Sequence, residues 1–174
     1  LKGILYYGMD LCLSFCSSVN SYRRLDPNFE APNELKASTT DRGSVIRVPL
    51  GNEKSARIEV RAVSPDSNPY LTYYLMLSAG FKAMNATDDE FAKMKSEMQN
   101  QGTRILPRNI NEAIELFEKS EFVTQTLGEE NKNKFVDLKK EVAGRSPREL
   151  GTLIKGSEIL FHHEVTNQVL WNRF

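Results

Sequence analysis

The chain opens with an almost unbroken apolar stretch. Ile4, Leu5, Met9, Leu11, Cys12 and Leu13 fall on most sides of a helix over Leu1–Phe15, whose only formal charges are Lys2 and Asp10. A helix that is apolar all round is a buried helix. Ser17–Asn20 breaks the pattern. Ser21–Asp41, rich in Pro, Asn and Thr, reads as loop. Ser44–Pro49 (S-V-I-R-V-P) is short and β-branched and predicts a strand. Gly51 and Asn52 mark a turn. Ala56–Val63 then alternates, with Arg57, Glu59 and Arg61 on one face and Ile58, Val60 and Ala62 on the other. It is the clearest strand signal in the chain.

Helical spacing takes over from Asn68. Asn68-Pro69 predicts an N-cap followed by proline at the first helical position. Tyr70–Met84 follows as an apolar helix in which Tyr70, Tyr73 and Tyr74 are expected to pack. Asp88–Met98 is a polar helix with Phe91, Met94 and Met98 on one side. Met84, Met94 and Met98 are read as core filling. Asn109 or Asn111 caps a helix over Ile110–Lys119, and further helices are expected at Glu121–Leu127, Glu129–Val142 and Pro147–Phe161, before a tail ending in Trp171 and Phe174. This segregation predicts an α+β fold. Antiparallel strands occupy the first 70 residues and a mostly helical half follows, the expected division being 1–84 and 85–174.

Composition narrows the function classes. The 174 residues carry 23 Lys plus Arg against 23 Asp plus Glu, a net charge of zero. A nucleic-acid binder should be basic, so no nucleic-acid partner is expected. No apolar run reaches the length of a membrane span, so no membrane partner is expected either. The first residue is Leu1, and neither a basic leader nor a cleavage site precedes the apolar stretch. The chain is therefore read as part of a longer protein. Cys12 and Cys16 lack the CxxC spacing of redox or zinc sites and read as free thiols of a cytoplasmic protein. His162 and His163, adjacent and near a charged helix end, read as a surface pair.

The candidate chemistry lies in the arginines: Arg23, Arg24, Arg42, Arg47, Arg57 and Arg61. Arg57 and Arg61 flank Glu59 on one strand face. Arg47 sits inside an apolar strand, where an unpaired charge is costly. Guanidinium forks hold carboxylates and phosphates bidentately. One carboxylate among several arginines fits either an ion-pair lattice or an anion site built around a divalent cation, and the residues alone leave both open. Arg23 reads as a solvated neighbour, and Asn20, Ser21 and Tyr22 as residues that shape the loop.

Several blocks together resemble the glutamine synthetase family. N-S-Y-R-R-L-D-P-N-F-E-A-P (20–32) is similar to its glutamate-binding segment, and D-R-G-S-V-I-R-V-P (41–49) to its arginine-bearing phosphate strand. R-I-E-V-R (57–61) and N-P-Y-L (68–71) follow in the family's order, and L-P-R-N-I-N-E-A-I-E-L-F-E (106–118) and L-G-E-E (127–130) resemble its closing helices. The resemblance implies a bacterial type I-like, ATP-dependent glutamate–ammonia ligase acting through γ-glutamyl phosphate. Arg24 and Arg61 would hold the carboxylates of glutamate, and Arg42 would stabilise the transferring phosphoryl group. Arg47, Lys54 and Arg57 would contact ATP. Glu59 would be one ligand of Mg2+ or Mn2+, and Glu30, on a closing loop, would help deprotonate ammonium. The resemblance further implies glutamate, ammonia and ATP as partners, a homo-oligomer and a cytoplasmic location.

Some features depart from that pattern. Glu59 is the only one of the family's metal ligands present, so the 174 residues alone are expected to be inactive and to expose apolar surface. Asp41 stands where Asn is common and is expected to offset part of the Arg42 charge. Two alternatives remain: a γ-glutamyl-amine (polyamine) ligase of the same family, and a non-catalytic truncated paralogue acting through protein–protein contacts.

Overall fold

A computed structural model describes residues 1–25 and 31–144. Glu30, the Pro147–Phe161 helix, the His162–His163 pair and the tail to Phe174 lie outside the described residues. The architecture is α+β, as the segregated pattern predicts. In chain order, a small sheet falls between one long N-terminal helix and a run of helices.

Helix α1 (Lys2–Phe15) is the centre of the fold. Ile4, Leu11, Cys12, Leu13 and Phe15 are buried on it, together with Gly3, Gly8 and Ser14. Being apolar on most sides it must be covered on most sides. Four elements do this: α2 (Pro69–Met84), β1 (Glu34–Ser38), α4 (Ile110–Lys119) and α5 (Glu121–Leu127). Two glycines set how closely they approach. A Cβ on Gly3 would stand 1.8 Å from the Ala79 carbonyl oxygen, and one on Gly8 would stand 2.5 Å from Leu35 Cδ1. Helix α1 thus meets α2 backbone to backbone and takes Leu35 directly against its axis.

Helix α2 begins as predicted. Asn68 Oδ1 accepts from the Tyr70 and Leu71 amides at 3.0 and 3.2 Å, and Pro69 takes the first turn. Its buried stripe is Thr72, Leu75 and Ala79, spaced one helical turn apart. The Thr72 hydroxyl donates to Ser14 O at 2.9 Å, fixing the helix along α1. The opposite face corrects the expectation for the tyrosines. Tyr70 is 86% exposed, and Tyr73, Tyr74, Leu77, Phe81 and Met84 are also exposed. The small Thr72, Leu75 and Ala79 stripe is what fits against Gly3. The aromatic residues fall outside it and stay more than half exposed, Tyr74 reaching α5 only through its hydroxyl, which donates to Thr126 O at 3.2 Å. Of the three methionines read as core, only Met94 is buried.

The sheet is mixed rather than antiparallel, with order β1-β2-β3. β2 (Ser44–Arg47) and β3 (Glu59–Val60) are antiparallel, with Arg47 opposite Glu59. β1, which falls in the region read as loop, lies parallel to β2, with Glu34 opposite Ser44 and Ser38 opposite Arg47. Parallel neighbours usually need a long crossover. Here Thr39–Gly43 doubles back through bends and a turn, and Glu34 N–H to Gly43 O and Val48 N–H to Ser38 O bond the strands at either end of the return. The predicted Ala56–Val63 strand shortens to two residues because β2 offers so little edge. Arg61 N–H still reaches Val45 O at 2.8 Å, while Ala56–Ile58 runs exposed beyond the sheet. The outer edge of β1 is covered by residues 104–106 through Leu35 N–H to Arg104 O and Leu106 N–H to Asn33 O.

The helical half follows its local signals closely. Thr87 and Glu90 form a capping box on α3 (Asp88–Asn100), Asn109 caps α4 at the Glu112 amide, and Ser120 caps α5 at Val123. Gly128, with φ +76°, turns the chain into α6 (Glu129–Ala143), a conformation that favours glycine. Ile110, Ala113, Ile114 and Phe117 of α4 complete the cover of α1.

Two glycine substitutions test this packing. Gly3→Ala should lower stability by about 1–3 kcal/mol, because α1 must move off the α2 backbone. Gly80→Ala, on the same interface helix but with nothing within 4 Å of the added Cβ, should raise it by about 0.4–1 kcal/mol. Thermal unfolding of the two variants checks both signs.

Candidate active site

The sheet's outer face carries the arginines because strand alternation puts them there. Arg47 ends β2 and Glu59 begins β3, and the antiparallel register sets them opposite one another. Arg47 Nη1 donates to Glu59 Oε2 at 3.3 Å, and Arg57 donates to Glu59 Oε1 from Nη2 at 3.1 Å and from Nε at 3.3 Å. At this carboxylate the ion-pair reading is the one realised. Arg47 is not enclosed in apolar surroundings as its sequence position suggests, for it stands exposed at the strand end with its charge paired. Pairs this exposed contribute about 0–1 kcal/mol each, so they organise the face more than they stabilise the fold.

A second set of contacts ties three segments together. Arg61 Nη1 donates to the carbonyls of Arg42 (2.5 Å) and Ser44 (3.3 Å), so its guanidinium holds the loop that carries Arg42. Arg24, on the 3-10 turn Val19–Leu25, donates from Nη1 to Val63 O at 3.1 Å and from Nη2 to Arg61 O at 3.5 Å. Arg42, Arg47 and Arg61 line one cavity of about 440 Å3 with Thr39, Thr40 and Asp41. Asp41 turns to Lys36 at 2.7 Å and accepts from the Gly43 amide at 2.8 Å, and these contacts, the lysine's first, hold its carboxyl below the usual range. The acidic residue expected to offset Arg42 therefore has its own lysine. Among the described residues, three arginines and Asp41 are the charged groups that line this cavity, and Arg47 and Asp41 are each paired with a partner outside it.

Not every predicted residue joins this pocket. Arg57 reaches it only through Glu59. Lys54 lies on the exposed turn Glu53–Ser55, and Arg23 is exposed. Glu30 lies outside the described residues.

Sequence reading missed the group that secures the 3-10 turn. Asp66 accepts from Ser18, from Ser21 at 3.0 and 3.2 Å, and from Ser64. Ser21 Oγ also lies 3.0 Å from Ser64 Oγ, and the Ser64 amide donates to Phe15 O at 2.8 Å. Burial pushes the Asp66 carboxyl up, but the hydroxyls of Ser18, Ser64 and Ser21 outweigh it and leave it below its ordinary value. The triplet Ser64-Pro65-Asp66 was the available signal. What it hides is the partner set more than forty residues away.

The described residues do not by themselves make a divalent metal centre. Both oxygens of Glu59 are engaged by arginines. Among the described residues there is no group of three or more His, Cys, Asp and Glu side chains that could hold a metal ion. Magnesium requires near-octahedral oxygen ligation, which one carboxylate does not provide.

Fold and pocket together define a class: an α+β domain carrying an arginine-lined cavity on the face of a short sheet. Residues 1–148 match the family described as glutamine synthetase, catalytic domain. The chain is 36% identical to glutamine synthetase of Pyrococcus furiosus over 147 residues, covering 80% of this chain and 33% of that protein. It is 33% identical to glutamine synthetase of Methanococcus voltae over the same length and shares. A structure of GmaS in complex with ADP superposes with a TM-score of 0.62 at 22% identity, covering 88% of this chain and 38% of that one, and apo GmaS gives 0.63 over 94% and 37%. The chain belongs to the glutamine synthetase catalytic-domain family, and it spans about a third of the length of the curated relatives it matches. No helix among the described residues is long and apolar enough to cross a membrane.

The serine-held carboxylate yields a pH prediction. A carboxyl lowered on folding stabilises the fold above its unfolded pKa, about 3.9, and that contribution is lost as pH falls through the lower folded value. Asp66→Asn should therefore melt below the parent chain at pH 6, and the gap should close as pH drops below about 4. A gap that stays constant across that range would show that the charge of Asp66 contributes nothing.

Proposed function

We propose that this chain is the arginine-bearing portion of the catalytic domain of an ATP-dependent glutamate–ammonia ligase. The observation that carries the reading is the cavity lined by Arg42, Arg47 and Arg61, together with membership of the family. Glutamate's side-chain carboxylate attacks the γ-phosphate of ATP to give γ-glutamyl phosphate, and ammonia displaces phosphate to give glutamine. Both steps concentrate negative charge, and phosphoryl transfer asks the protein mainly for positioning and electrostatic stabilisation.

At Arg42, Arg47 and Arg61 the residue roles follow the pocket; at Arg24, Arg57, Lys54 and Glu30 they follow the family resemblance. Arg61 and Arg24, linked through the Arg61 carbonyl, hold the carboxylates of glutamate. Arg42 faces the transferring phosphoryl group, and Arg47 and Arg57 attend the nucleotide's phosphates with Lys54 beside them. Glu30 belongs to the loop that closes over glutamate and helps take the proton from ammonium. The ligase works with Mg2+ or Mn2+. Glu59 would supply one ligand only by yielding an arginine contact. The reading places the enzyme in the cytoplasm, in keeping with two free, buried cysteines, and makes it a homo-oligomer.

The protein that carries this chain should form γ-glutamyl hydroxamate from glutamate, ATP and hydroxylamine, and glutamine from ammonia. Arg61→Ala should lower both rates by about 10²–10³-fold, the cost of removing one charge-stabilising donor. Turnover with polyamines or another amine but never with ammonia would overturn the ammonia assignment.

A further inference from the structure

We propose that Asp66 is a positioning residue for glutamate binding, acting by clamping the turn that carries Arg24 to the segment that carries Arg61; this rests on the ligase reading above. The turn Val19–Leu25 is a 3-10 helix. Its hydrogen bonds are poorer than those of an α-helix and give it little stability of its own. The first of its backbone ties, Ser21 N–H to Ser18 O, is 3.2 Å long. Something outside the turn must fix where its arginine points.

Asp66 does so from across the chain. Its two oxygens gather hydroxyls from Ser18, just before the turn, from Ser21, on it, and from Ser64, three residues after Arg61. A carboxylate only accepts and a serine hydroxyl can always turn to donate, so one anion can hold three separate hydroxyls at once. Within this frame the Arg24 guanidinium lies against the carbonyls of Arg61 and Val63. Arg61 in turn lies against those of Arg42 and Ser44. The relative position of the two arginines is set at Asp66, which itself lines no part of the cavity. A guanidinium displaced by an ångström loses much of its grip on a carboxylate, and such displacements from distant changes cost about 10²-fold in well-aligned sites.

Asp66→Asn replaces one acceptor oxygen by a donor nitrogen and loosens the clamp. Ser21→Ala removes one hydroxyl and is the milder change. The test is steady-state hydroxamate kinetics of the whole protein with glutamate and ATP varied separately, plus a melting temperature for each variant. Both variants should raise KM for glutamate, by about tenfold or more for Asp66→Asn, with KM for ATP within about twofold. If Asp66→Asn does not fold, Ser21→Ala carries the same test. A variant that melts lower but keeps the parental KM for glutamate would overturn the proposal and leave the ligase reading standing, as would equal rises in both KM values. A parent protein without ligase activity would overturn both.

Discussion

The fold depends on one constraint: α1 is apolar on most of its surface and must be covered nearly all round. That requirement brings elements from the whole chain onto one helix. β1 seats Leu35 against Gly8, α2 lays its backbone against Gly3, and α4 and α5 close the remaining sides. Ile46, Leu75, Ala113 and Phe117, from three different elements, are buried in the resulting core. Because the helix is satisfied this way, its C-terminal end becomes a fixed reference. The Ser14 and Phe15 carbonyls there receive Thr72 and Ser64. The position of the sheet relative to the helices is decided at that end.

The charged face is a consequence of the same arrangement. A sheet with one side buried must put its alternate residues outward, and here those residues are arginines and a glutamate. Their mutual contacts are mostly exposed and individually weak. Their ordering comes instead from backbone carbonyls and from the serines around Asp66, groups without the salt sensitivity of surface ion pairs. Several arginines are thereby held side by side by backbone carbonyls as much as by carboxylates.

What could be read in the sequence was what is local. The caps at Asn68, Thr87, Asn109 and Ser120 act within three residues, and the helices they start lie where the pattern puts them. β1 escaped notice because Glu34–Ser38 contains no β-branched residue and pairs only through a tight parallel return. The alternation at Ala56–Val63 promised a long strand, but alternation reports the side-chain faces and not the length of the partner. The composition of α2 predicts a buried helix, whereas only its Thr72, Leu75 and Ala79 stripe packs inward, with Ala79 against Gly3. At the site, residue types were legible and partners were not. That Glu59 meets Arg47 follows from register, and that Asp66 meets Ser18 and Ser21 follows from the path of the chain around α1.

The link Thr39–Gly43 has a bearing on how this region can change over evolutionary time. It is at once the connection between two parallel strands and, through Thr39, Thr40, Asp41 and Arg42, a wall of the cavity. Surface loops usually drift in length with little penalty. An insertion or deletion here would alter the sheet's register and the shape of the chamber together. Diversification of the pocket is therefore channelled into side-chain replacement at fixed length, and this segment should serve as a molecular ruler against which related sequences can be aligned.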